Sequence, residues 1–146
     1  MKRQLILLLS VFATVFLFIS LVPAQTEMKN WEKTLTLSNG EVVIDLNGEW
    51  ATMVEHYGFL KWYGSLPSII EIKQEGNMFR GFNLIATPRK PKGTESIRGE
   101  LDANGFKKVQ MMTGRGDLDA TGEIDMNGNK IIIDDGEQLK ITMIRR

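Results

Sequence analysis

Asp117-Leu118-Asp119-Ala120-Thr121-Gly122-Glu123-Ile124-Asp125 alternates polar with apolar or small side chains without a break. A period of two sends Leu118, Ala120, Gly122 and Ile124 to one face of an extended chain, and the acids with Thr121 to the other. A stretch this charged on one side and apolar on the other is a strand with one wet and one buried face. Two more stretches repeat the pattern. Ile97, Gly99 and Leu101 alternate with Ser96, Arg98 and Glu100, and Leu139, Ile141 and Met143 alternate with Gln138, Lys140 and Thr142.

Between such runs stand turn dipeptides: Asn39-Gly40, Asn47-Gly48, Gly76-Asn77, Asn104-Gly105, Gly114-Arg115-Gly116, Asn127-Gly128 and Asp135-Gly136. Asn-Gly and Asp-Gly suit two-residue hairpin loops, in which both residues take positive φ. Hairpins in series make an antiparallel meander. Eight main strands are expected over 49–57, 67–75, 78–86, 94–102, 105–113, 117–126, 129–134 and 137–145, after an earlier hairpin of 33–38 with 41–46. Closing the sheet removes its exposed edges. The fold class is therefore all-β, an eight-stranded antiparallel up-and-down barrel preceded by a short N-terminal hairpin. Such a barrel is filled by side chains or holds one small ligand. Small inward residues such as Gly99, Ala120 and Gly122 leave room inside or permit sharp coiling.

The N-terminus reads differently. Lys2 and Arg3 precede an apolar run from Leu5 to Val22, and Val22-Pro23-Ala24 offers a signal-peptidase site. Residues 1–24 are expected to be a signal peptide that exports the chain, with an uncleaved membrane anchor as the competing reading. Residues 25–40 form a linker and the first strand of the hairpin, and 41–146 form the barrel domain. The 18 basic residues balance the 18 acidic ones, and cleavage removes Lys2 and Arg3 but no acid. The mature chain is thus slightly acidic, with no general attraction to nucleic acid, and no membrane span is expected in it. There is no cysteine, so the domain relies on its core and ladder hydrogen bonds.

At Gly48-Glu49-Trp50 and Arg145 the chain resembles the calycins, the lipocalin and avidin group of barrels. In those proteins a Gly-x-Trp motif opens the first strand. The resemblance implies that Trp50 lies across a closed base and that Arg145, from the last strand, packs on the indole. It spans residues 41–146 but is carried by the two ends; the other lipocalin signature motifs have no counterpart. The mouth of a barrel, opposite such a base, is a common ligand site.

An up-and-down order puts the turns near 76–77, 103–104 and 127–128 at the base, and the loops 58–66, 87–93, 114–116 and 135–136 at the mouth. Four aromatics, Tyr57, Phe59, Trp62 and Tyr63, crowd the first mouth loop between glycines. They form either a lip over an apolar ligand or a plug of ordinary core. The second mouth loop, Pro88-Arg89-Lys90-Pro91-Lys92-Gly93, is basic, and Arg115 joins it from the next turn. These charges either attract an anion or face solvent. If Trp50 points inward, so do Thr52, Val54 and His56. His56 is the only histidine. It is a candidate ligand or acid–base group, but a lone histidine is more often a hydrogen-bonded wall residue. One histidine without cysteine cannot make a Cys/His zinc site. Asp125-x-Asn127-Gly128-Asn129 lacks the glycine and acid spacing of a calcium loop and suits a type I′ turn.

The preferred expectation is a non-enzymatic binding protein without a cofactor, taking a small hydrophobic or amphiphilic molecule. Thr52, Val54 and His56 would line its wall, Tyr57, Phe59, Trp62 and Tyr63 its lip, and Arg89 and Arg115 its rim. The alternative is a protein-interaction module, an inhibitor or envelope assembly factor, with a filled barrel and an aromatic anchor. An enzyme pairing His56 with a carboxylate such as Glu55 is a third possibility.

Overall fold

Strand period and turn chemistry close on each other in the computed structural model, which describes residues 29–146. The expected signal segment 1–24 lies outside the described residues. The strands are β1 Thr34–Thr36, β2 Val42–Ile44, β3 Gly48–His56, β4 Ser65–Glu75, β5 Met78–Asn83, β6 Glu95–Asp102, β7 Gly105–Thr113, β8 Gly116–Ile124, β9 Lys130–Asp134 and β10 Leu139–Arg145. β1 and β2 make a separate hairpin, and β3 to β10 form a closed antiparallel barrel in which β10 returns to β3. Along that closing seam Arg145 stands opposite Trp50 and Leu139 opposite His56.

The turns obey glycine more strictly than the dipeptides suggest. Among the described residues no non-glycine residue has positive φ, so Asn127-Gly128 is not the expected type I′ turn. Asp125 stabilises a longer loop instead, its carboxylate accepting from the amides of Asn129 and Lys130 at 2.8 and 3.1 Å. Only Gly128 takes the left-handed conformation there, with φ +77°. At the mouth, Asp135 accepts from the amides of Glu137, Gln138 and Leu139. Those bonds hold residues 136–138 out of the ladder, so β10 begins at Leu139 rather than 137. β5 ends at Asn83 instead of 86, where Asn83 N–H donates to the Thr94 carbonyl and its own carbonyl accepts from Gly93 N–H across the rim connection.

The lower half of the barrel is solid. Trp50, Phe79, Ile97, Leu101, Ile131 and Met143 are almost fully buried there. The expected space beside the inward glycines is taken by aromatic rings. A Cβ on Gly99 would stand 2.7 Å from Phe79, and one on Gly122 would stand 2.4 Å from Phe106. The two rings meet at 5.5 Å between centroids. The glycines therefore admit rings against the backbone instead of creating a void.

The N-terminal hairpin caps this base. Val43, Ile44 and Leu46 are fully buried. Gln74, buried on β4, accepts from Leu46 N–H at 2.7 Å and donates to Ile44 C=O at 3.0 Å. One amide side chain thus satisfies two backbone groups that the cap would otherwise bury unpaired.

Candidate functional site

With the base sealed, the upper half of the barrel encloses a cavity of about 470 Å³. That lies within the range of roughly 300–1,000 Å³ common for small-molecule sites. Its apolar side comes from Ile70, Met111, Leu118, Leu139 and Ile141, and from Leu60 and Leu66 near the opening.

Seven residues singled out from sequence line it: Thr52, Val54, His56, Phe59, Tyr63, Arg89 and Arg115. Two do not. Tyr57 turns its hydroxyl to Asp134 and Asp135 at the neighbouring mouth turn. Partial burial, with the hydrogen bond to Asp134, pushes its phenol pKa above the ordinary value. Trp62 stands outside, 72% exposed, and stacks on Tyr63 at 3.8 Å between centroids. The aromatic segment is neither a plug nor an irregular loop but a 3-10 helix, Gly58–Tyr63. Its first residue has to be a glycine, because Gly58 takes φ +56° and a Cβ there would stand 2.5 Å from the Glu137 carbonyl.

His56 is fully engaged within the rim. Its Nδ1 lies 2.7 Å from the Gly64 carbonyl and its Nε2 lies 3.3 Å from Arg89 Nη1. The carbonyl accepts only, so Nδ1 carries the proton and Nε2 accepts from the guanidinium. The Arg89 guanidinium also covers the Tyr63 ring, 3.3 Å from its centroid. These contacts join the basic loop to the 3-10 lip. Glu55, the carboxylate considered as a partner for His56, is exposed and has the opposite parity along β3.

Polar residues outside the candidate set also line the cavity, among them Ser68, Asn83, Lys90 and Ser96. Strand parity reaches Ser68, which shares the inward face with buried Ile70 and Ile72. Ser96 is a correction, because strict alternation had sent it outward. β5 and β6 shift register here: Gly81 pairs with Ile97 but Phe82 pairs with Glu95. Ser96 is the extra residue of a β-bulge, and a bulge re-aims the side chain it carries. Ser96 is consequently buried, and its hydroxyl bonds Asn83 Oδ1 at 2.7 Å. Lys90 is half-buried and donates to the Ser96 hydroxyl at 3.3 Å and to the Met112 carbonyl. Burial lowers the Lys90 pKa from its ordinary value.

The electrostatics of the lining are one-sided. Arg89, Lys90 and Arg115 face the cavity or its rim, and among the described residues no Asp or Glu lines it. None of those three cations belongs to the ion pairs of the outer wall, such as Arg80–Glu95 at 2.6 Å and Arg98–Asp117.

Fold and site together define a closed eight-stranded antiparallel β-barrel, compatible with a lipocalin-like fold, sealed at one end and hollow towards the other. Comparison with protein-family models, curated proteins and solved structures finds no match to this chain.

Proposed function

We propose that this is an exported, lipocalin-like binding protein that takes up a small amphiphilic molecule through the barrel mouth. The observation that carries this reading is the 470 Å³ cavity above a sealed base, walled by aliphatic side chains and opening beside the 3-10 lip. Burying ligand surface against that wall yields about 25 cal/mol per Å² of apolar area. The Gly48-x-Trp50 motif with Arg145 against the indole supports the calycin assignment. The basic n-region and Val22-Pro23-Ala24 support export. Native mass spectrometry of the protein purified from its own host tests the reading. A co-purifying small molecule, lost on exchange into organic solvent, is the expected result. A ligand-free protein that also fails to bind hydrophobic fluorophores would overturn it.

One observation favours a second role for the rim. Phe59 and Trp62 are 61% and 72% exposed on the lip. Large exposed aromatics are the residues that anchor protein contacts. If this rim docks on a partner, Trp62→Ala weakens recovery of that partner in a pulldown while ligand binding inside the barrel is unchanged.

A further inference from the structure

Three buried polar atoms of residues that line the cavity have no hydrogen-bond partner among the described residues: the hydroxyls of Thr52 and Ser68, and the Nδ2 amide nitrogen of Asn83. The residues are only 6%, 8% and 4% exposed. A buried polar atom without a partner is costly and uncommon in a folded protein. Here three fall together. Thr52 lies directly opposite Ser68 on the adjacent strand, and Asn83 lies opposite Ile70, two residues from Ser68. Cross-strand and diagonal neighbours at this spacing are within reach of one small group.

The donor character of this cluster follows from hydrogen-bond logic. Lys90 can only donate, so the Ser96 oxygen accepts from it. The Ser96 proton is then given to Asn83 Oδ1. In that arrangement the Asn83 oxygen is used and its NH₂ group is free. The wall thus presents two hydroxyls and an amide NH₂ without partners. A cation sits one relay step behind them, and among the described residues no acid lines the cavity. A neutral chain end would satisfy few of these groups. A carboxylate, which accepts up to about four hydrogen bonds, matches them.

We propose that the amphiphile bound in this barrel is a carboxylic acid, with its carboxylate inside the barrel on Thr52, Ser68 and Asn83. Lys90 supplies the opposing charge through Ser96, and the aliphatic tail lies along Met111, Leu118 and Ile141. The inference rests on the binding function proposed above and adds the chemical class and the orientation of the ligand.

Calorimetric titration with dodecanoate and with dodecanol, at a pH where the acid is ionised, tests this. Dodecanoate is expected to bind at least tenfold more tightly, as suits charge-assisted hydrogen bonds. Lys90→Met and Asn83→Ala should each weaken dodecanoate about tenfold and change dodecanol by less than threefold. Thr52→Val with Ser68→Ala is a second variant that leaves the mouth loop and the Ser96–Asn83 bond untouched, and it should act in the same sense. Far-ultraviolet circular dichroism checks that each variant is folded. Equal binding of acid and alcohol, or equal weakening of both by the variants, overturns the carboxylate assignment and leaves the carrier reading standing. Failure of both to bind the folded wild-type protein overturns the two together.

Discussion

The Arg145 guanidinium lies 4.4 Å from the centre of the Trp50 ring, on the residue paired with Trp50 across the seam that closes the barrel. The same guanidinium donates to the carbonyls of Asp45 and Asn47 at 2.6 and 3.2 Å. The indole nitrogen donates to Leu46 at 3.0 Å. First strand, last strand and cap are thereby fastened at one point. Trp50→Ala should cost about 3–5 kcal/mol, as for other large core truncations. In a double-mutant cycle with Arg145→Met, urea denaturation should give a coupling of ~0.5–2 kcal/mol, the range of cation–π contacts. A coupling near zero would mean that the contact is only geometric.

The inward glycines differ in how much they tolerate. A Cβ at position 99 would stand 2.2 Å from the Lys108 backbone carbonyl, which cannot move without breaking the ladder. At position 122 the obstacle is the ring of Phe106, a side chain that can tilt. Gly99→Ala should therefore cost about 3 kcal/mol and Gly122→Ala about 1 kcal/mol, within the usual span for overpacking. Chemical denaturation of the two variants side by side gives the order, and the reverse order would contradict the packing described.

Gln74→Leu should loosen the cap before the barrel. The substitution leaves the Leu46 N–H and the Ile44 carbonyl buried without their partner, at about 1–3 kcal/mol for each group. Hydrogen exchange is expected to show lost protection at Leu46, with protection at Ile133 in the barrel wall retained. Equal losses at both sites would mean that cap and wall unfold as one unit.

Asp135 gives the fold an acid-sensitive point. Burial raises its pKa, but the amides of Gln138, Leu139 and Glu137 and the Tyr57 hydroxyl outweigh that and hold it below the ordinary 3.8. The unfolded chain then binds the proton more readily than the folded one. The stabilising contribution is complete above 3.8 and disappears as pH falls through the lower folded value. Between about pH 5 and pH 2 the wild-type protein should lose more stability than Asp135→Asn, whose side chain does not titrate. Parallel stability profiles for the two proteins would refute this.

Much of the fold could be read from the alternation around Asp117–Asp125 and from the turn dipeptides, because one-sided burial and glycine geometry are local properties. Parity along β3 also placed Thr52, Val54 and His56 correctly on the inner wall. What escaped depended on distant partners. Tyr57 was lost to the lip because two aspartates nearly eighty residues away hold its hydroxyl. Lys90 gains its position from a rim loop tied to β7 through the Met112 carbonyl, whereas Asn83 shares the parity of Phe79 and Gly81 along β5. No periodicity in a single stretch encodes such pairings.

The extra residue at Ser96 shows how the lining of this cavity is composed. Its chemistry depends on how many residues span β6 as well as on which ones they are. Removing one residue there would restore strict alternation, carry the hydroxyl out of the wall and leave Asn83 Oδ1 without its donor. Insertions and deletions in the strands facing this loop are thus a route by which a barrel of unchanged topology exchanges a polar interior for an oily one.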